Sequence, residues 1–395
     1  MTTEPTIPSP DDAAGPRRST RVIHSTARAP AGFRSLAPAV HRGSTVVFET
    51  LADAWEDPAA SAGYVYGLFG TPTTLELGRR VAELENAAHA FVVPSGLSAI
   101  GLIYLAYCRA GSHALVPESA YKPNRDLADK LLAGLGVEVE AYDPMLGRGV
   151  ADRLRPNTAL VWCESPGSVT MEIQDVPAIV AAAHARGVPV ALDNSYAAGV
   201  LFDAFGHGVD VSMQALTKYV GGHSDLLLGS VSVNDDDAFT RIDRTRRLLG
   251  LAASPDDCAL ALRGLQTFDL RLRHLERSTL AVAGWLKARP EIVRVLHPAF
   301  PDCPGHDVWR RDFTGSASIF SVVFDPAWEP GRIAAFVEGL RLFKIGYSWG
   351  GVTSLVMAYR HVRDYGRQLV RFNVGLEDPR DLIDDLAQAL AAAGG

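Results

Sequence analysis

The sequence predicts an α/β protein: a large unit built on a mostly parallel sheet, followed by a smaller α+β unit. Two observations carry this. Short apolar runs alternate with helical segments through the first two thirds of the chain, which is the βαβ signature of a parallel sheet covered by helices. After Pro255 the texture changes to a long helical region and then to mixed elements. Several of the apolar runs also deliver a polar residue at their carboxyl end, where open α/β sheets place their chemistry.

Taken in order, residues 1–70 read as an N-terminal arm. Its first part, to about residue 18, is rich in Pro, Ser, Thr and Asp and is expected to be disordered. From Arg21 to Thr71 only short β-like pieces such as STVVFE appear, a pattern suited to an arm ordered by packing on another subunit. Residues 71–255 form the large unit. TTLELGRRVAELENAA has helical periodicity, HAFVVPS reads as a strand, and GLSAIGLIYLAYC begins the next helix at Gly96. HALVPES, VEVEAYD, TALVWCESPG and VPVALDNSY follow as buried strands, with helical stretches such as DVPAIVAAAHARG between them. Residues 256–395 form the smaller unit: a helical region to about Ala288, then SIFSVVFD, RIAAFVEGL and SLVMAYR, closing on the helix DLIDDLAQALAAAG.

Composition bounds the function. With 47% hydrophobic and 21% charged residues the chain is expected to be globular, and a net charge of −7 gives no basic surface for nucleic acid. The arginines of RTRR and RLRHLER read as solvated or intersubunit helix faces. Cys108, Cys163, Cys258 and Cys303 lie far apart without CxxC spacing, so neither a disulfide scaffold nor a thiolate metal site is expected. His297, Cys303 and His306 in HPAFPDCPGH read as a structured loop, and no metal is expected. No apolar run reaches the roughly 18 residues that a membrane span requires. No signal-peptide core is seen either, so the expected location is the cytoplasm, with no membrane partner.

Three segments carry candidate chemistry. Lys218 in MQALTKYVGGHSD precedes a glycine-rich exit able to wrap a bound group, and its amine could condense with a carbonyl in a site that makes it nucleophilic; a surface loop lysine is the plainer alternative. Asp193, after the apolar run VPVAL, could cap a helix, bind a metal or pair with a cofactor nitrogen. The last role draws support from the lack of a second ligand at metal spacing. A carboxylate there would keep a pyridinium protonated. The strand–turn–helix VVPSGLSAI offers unpaired first-turn N–H groups to a phosphate, or is simply a helix start.

Together these segments resemble the Cys/Met metabolism family of pyridoxal-phosphate enzymes. The likeness runs from about Arg21 to the C-terminus, through YGLFGTPTT, VPSGLSAI, ESAYKPNR, CESPGSVTMEIQDVPAIV, ALDNSYAAGV, MQALTKYVGGHSD, YSWGGVTSL and LVRFNVGLEDPRDLIDDL. The SWGG and DNSYAAG forms look most like the cystathionine β-lyase branch. The resemblance implies the fold type I (aspartate aminotransferase-like) architecture, pyridoxal 5'-phosphate as cofactor, and a carbon–sulfur lyase acting on a small sulfur-containing amino acid. It implies a homotetramer, a dimer of dimers with shared active sites. Lys218 would carry the cofactor, Asp193 would face the ring nitrogen, and Tyr121 would stack on the ring. Gly96, Leu97 and Thr217 would hold the phosphate, joined by Tyr66 from the neighbouring subunit's arm. Arg371 would clamp the substrate α-carboxylate, with Tyr347, Ser348 and Trp349 lining the substrate side and Ser348 orienting Lys218.

Two departures stand out. The family commonly carries a Tyr-x-Arg pair on the arm, but this chain reads Tyr66-Gly67-Leu68, leaving Arg42 or neutral donors to meet the phosphate. Ala215 stands where γ-lyase relatives usually have a serine. Weak cofactor retention is therefore expected, visible on dialysis followed by titration with pyridoxal phosphate.

Overall fold

A computed structural model describes residues 35–55 and 64–394, together with Thr20 and Gly32. The disorder expected over the first residues lies outside this set. Seven strands build the first sheet: β1 (His89–Val93), β2 (His113–Pro117), β3 (Glu138–Tyr142), β4 (Thr158–Glu164), β5 (Val190–Asp193), β6 (Val211–Gln214) and β7 (Gly229–Val233). Their order is β1-β7-β6-β5-β4-β2-β3. β3, β2, β4, β5 and β6 pair in parallel, while β7 runs antiparallel to both β1 and β6.

The near-continuous apolar runs follow from burial of both sheet faces. Along β4, Leu160 and Trp162 enter one core with Ala191 and Met213, while Val161 and Cys163 enter the opposite core with Val190 and Leu192. Successive side chains point to opposite faces, and helices cover each face. The helix Pro72–Glu85 begins with a Thr71 capping box and proline in its first turn. Its last residue, Glu85, is buried and accepts the hydroxyls of Ser212 on β6 (2.6 Å) and Ser232 on β7 (2.5 Å). That carboxylate ties the helix to the strands leading into and out of the Lys218 loop.

The second sheet has five strands in the order β10-β11-β12-β9-β8: β8 (Ile292–Leu296), β9 (Ile319–Phe324), β10 (Lys344–Ile345), β11 (Leu355–Ala358) and β12 (Leu369–Asn373). Apart from the β10–β11 pair it is antiparallel. Phe320, Phe324, Phe336, Phe343 and Phe372 fill the core between this sheet and its helices, including the C-terminal helix Pro379–Gly394. The helical region predicted from Pro255 divides into Pro255–Leu265 and Phe268–Lys287. The longer helix joins the two halves, with Leu272 and Leu275 in the first sheet's core and Val282, Ala283 and Leu286 in the second's.

Two local expectations change. STVVFE forms no strand; Thr45 makes an isolated bridge to Tyr66, and Val47 is exposed. The two arginine clusters are not wholly solvated: Arg271 is buried and donates to the carbonyls of Tyr219 and Gly264, both at 2.8 Å, and Arg246 is buried against Asp243 and the carbonyls of Leu68 and Phe69. These side chains fasten loops, a role that a run of charges does not announce. In HPAFPDCPGH, Cys303 donates to the Met171 carbonyl and the His306 ring contacts the Pro298 carbonyl, so the segment is a hydrogen-bonded loop.

Candidate active site

The carboxyl ends of the parallel strands open into a cavity of about 640 Å³. β1 supplies Ser95 and, at the start of the helix Gly96–Tyr107, Gly96 and Leu97. Tyr121 follows β2, Glu164 ends β4, Asp193 ends β5, and β6 leads into Ala215, Thr217 and Lys218. The opposite wall comes from the second half of the chain, with Tyr347, Ser348, Trp349, Tyr359 and, from β12, Arg371. Of the predicted site residues only Tyr66 stays outside this cavity; it is half-exposed on the arm, edge-on to Phe69.

On the sheet side the polar groups are partnered. Asp193 accepts the Ser195 N–H at 3.0 Å, and the Ser195 hydroxyl accepts the Ala215 N–H at 2.7 Å, so one serine joins the β5 end to the loop before Lys218. The Thr217 hydroxyl donates to the Leu228 carbonyl and accepts its N–H, both at 3.1 Å. Tyr121 donates its backbone N–H to Glu164 at 2.8 Å. Lys218 Nζ donates to Ser348 Oγ at 2.6 Å and lies 5.3 Å above the Trp349 ring. Burial, with the Arg371 charge adding to it, lowers the Lys218 pKa to about 8. The amine is thus partly uncharged near neutral pH, which a nucleophile or base requires.

The far wall is less satisfied. Arg371 is buried, yet its guanidinium meets only the Ser168 carbonyl at 3.3 Å and the Tyr359 ring face at 5.4 Å, and among the described residues no carboxylate pairs with it. A buried unpaired cation is costly, so this position calls for an anion. Ser348 is held at φ 85, a left-handed conformation strained for any residue but glycine.

This donor set fits pyridoxal phosphate. Lys218 offers an amine with a lowered pKa, and Asp193 a carboxyl that burial raises, against the opposing pull of the Ser195 hydrogen bonds and the Lys218 charge. Ser95 caps its helix through the Ser98 N–H, leaving the preceding first-turn N–H groups of Gly96 and Leu97 at the cavity wall. The approach is close enough to need glycine: a Cβ on Gly96 would lie 2.9 Å from that of Ala215. No arginine besides Arg371 lines the cavity among the described residues, and Arg42 is paired with Asp256. Sequence reasoning missed Glu164, Ser195, Ser168 and Tyr359. The first three sit in quoted motifs, one or a few positions from residues that drew attention, and Tyr359 lies in SLVMAYR, a segment noted only among the mixed elements of the smaller unit.

His113, Glu138 and Glu140 form another titratable cluster, with potential ligand atoms within 4.8 Å of one another. It lies at the amino ends of β2 and β3, away from the cavity, and Arg155 pairs with both glutamates.

Comparison with known proteins gives a consistent result. The family described as Cys/Met metabolism PLP-dependent enzyme matches residues 19–391. The cystathionine beta-lyase of Bordetella avium is 41% identical over 364 residues, covering 89% of this chain and 91% of that protein. The cystathionine beta-lyase of Escherichia coli is 39% identical over 367 residues, with coverage of 89% and 92%. Among solved structures, cystathionine gamma synthase from Xanthomonas oryzae superposes with a TM-score of 0.89 at 27% identity, covering 96% of this chain and 99% of that one.

Proposed function

The chain belongs to the Cys/Met metabolism family of pyridoxal-phosphate-dependent enzymes, and from that membership we propose that it cleaves the Cβ–sulfur bond of L-cystathionine by β-elimination, yielding homocysteine, pyruvate and ammonia. The observation that carries the reading is the meeting of Lys218, Asp193 and Arg371 in one cavity. When bound, pyridoxal phosphate supplies an electron sink for the carbanion formed at the substrate Cα.

The chain's own residues do the rest. Lys218 would hold the cofactor and its amine would be the base for the Cα proton; Ser348 Oγ orients its Nζ. Asp193 would keep a negative charge beside the ring nitrogen, Tyr121 would stack on the ring, and Gly96, Leu97 and Thr217 would hold the phosphate. Arg371 receives the substrate α-carboxylate in a bidentate pair, which aligns Cα with the base. Lys218 or a tyrosine hydroxyl protonates the departing thiolate. Tyr347 and Trp349 border the leaving group. Tyr66 would serve the neighbouring subunit's phosphate, so a dimer is the smallest working unit, and two dimers make the proposed tetramer of a cytoplasmic protein. The arm, the unit at residues 71–255 and the unit at 256–395 are the proposed domains.

The likeness to a gamma synthase favours one other reading, in which the same groups serve γ-elimination or γ-replacement with an additional proton removal at Cβ. Incubation with cystathionine separates the two. Pyruvate with homocysteine supports β-elimination; 2-oxobutyrate with cysteine rejects it.

A further inference from the structure

The cavity contains a second carboxylate that the proposed reaction leaves without a task. Glu164 ends β4 as Asp193 ends β5, and the two are direct partners in the parallel ladder. Adjacent strands lie about 4.8 Å apart; both side chains border the cavity and both residues are more than nine-tenths buried. Two carboxylates so placed cannot both ionise near neutral pH unless each has its own cation.

The surroundings favour one of them. Burial raises both carboxyls, but at Asp193 the rise is opposed by the Ser195 N–H that it accepts and by the Lys218 charge. Glu164 receives one backbone N–H, that of Tyr121. The remaining cations that border the cavity are committed elsewhere: Lys122 is exposed and paired with Asp126, and Arg371 sits on the opposite wall. We propose that Glu164 is the protonated member of the pair, a positioning residue whose neutral carboxyl anchors Tyr121 and leaves the negative charge on Asp193.

A carboxylic acid suits this task. Its carbonyl oxygen accepts the Tyr121 N–H, and its O–H remains a donor toward Asp193 or the cavity. Burial first, and then Asp193, push the Glu164 carboxyl well above the usual carboxylate range. Gln174 fixes the strand end by accepting the Glu164 N–H at 2.8 Å. The inference rests on Asp193 acting as the ring partner, as proposed above.

Three variants and three measurements test it. Infrared difference spectra of the holoenzyme, wild type minus Glu164→Gln, should contain the band of a protonated carboxyl at neutral pH; a carboxylate band instead overturns the proposal. Titration of cofactor-free protein with pyridoxal phosphate should give Glu164→Gln an affinity within about twofold of wild type and Glu164→Ala one about tenfold weaker, the worth of one hydrogen bond. The absorbance–pH profile of bound cofactor should stay unchanged in Glu164→Gln. Loss in the glutamine variant equal to that in the alanine variant would mean that charge matters, and unaltered binding in Glu164→Ala would mean no positioning role; either rejects the proposal. Asp193→Asn keeps the two readings apart. Unchanged cofactor affinity there defeats the ring-partner role of Asp193, while the infrared band still decides the state of Glu164.

Discussion

The two walls of the cavity are built on opposite principles. On the wall made by the parallel sheet, Asp193, Thr217, Ser195 and Glu164 all hold hydrogen bonds within the chain. On the wall from the second sheet, Arg371 is buried against one distant carbonyl and a ring, Ser348 sits in strained backbone, and Tyr347 is 74% exposed. A wall whose polar groups are satisfied beforehand costs little to organise around a resident cofactor. A wall left short of an anion gains most when a substrate carboxylate arrives. The contrast assigns rigidity to the cofactor side and unspent interaction to the substrate side.

Removing the amine that joins the walls should have the largest effect. Lys218→Ala is expected to lower kcat for pyruvate formation by about 10⁴-fold, the upper end for a positioned general base, with an unchanged circular dichroism spectrum. A fall below tenfold would remove Lys218 from the chemistry. The next test strikes the unsatisfied wall alone. Arg371→Leu should lower kcat/KM by about 10²- to 10³-fold, the cost of truncating one partner of a buried charge pair of about 3–4 kcal/mol. In the cofactor-free protein the same change removes an uncompensated buried cation, so its melting temperature should hold or rise. A marked drop in melting temperature would mean that Arg371 is structural and that the contrast between the walls is false. Arg371→Lys should not restore activity, because an ammonium lacks the planar fork.

A third effect is smaller and couples the walls. Burial and Arg371 together bring the Lys218 pKa down to about 8 from 10.5. The folded chain therefore binds fewer protons than the unfolded chain between those values, and this group's contribution to stability improves as pH rises through that window. Reductive alkylation of Lys218 in the cofactor-free protein, followed by peptide mapping, should accelerate about tenfold from pH 7 to pH 9 and then level off, as the free amine goes from about a tenth to most of the population. In Arg371→Leu a like charge is gone, so the midpoint should move to higher pH. An unmoved midpoint would show that the two walls do not communicate.

The parallel sheet and its chemistry were legible because they rest on local signals. Buried strands read as apolar runs, and the carboxyl end of each run marks the cavity, so Asp193 and Lys218 are visible in sequence. The antiparallel direction of β7 was not visible, since strand direction depends on pairing far along the chain. Arg371 was recognised through family resemblance, but its lack of a carboxylate partner is a property of packing. Glu164 was passed over because its significance lies in its neighbour across the ladder, Asp193, which no sequence spacing conveys. Buried Arg271 was misread for the same reason: its partners are the carbonyl of Tyr219, in the loop after Lys218, and that of Gly264, in the last turn of the helix Pro255–Leu265.

The smallest effect expected isolates the strain at the meeting point of the walls. Ser348 has φ 85 and accepts the Lys218 Nζ hydrogen bond, so its backbone and its side chain pull stability and activity in opposite directions. Ser348→Gly should stabilise the cofactor-free protein by about 1 kcal/mol, because glycine adopts this conformation without a Cβ clash and the gain exceeds its added chain entropy. It should also lower kcat several-fold, in line with the loss of one hydrogen bond of about 1 kcal/mol. Ser348→Ala provides the control: the hydroxyl is lost, the strain is kept, and kcat should fall as in the glycine variant without the gain in melting temperature. If the alanine variant is as stable as the glycine variant, the strain is not what separates them. If both retain full kcat, Lys218 is oriented by its own loop, and the substrate wall contributes nothing to placing the base.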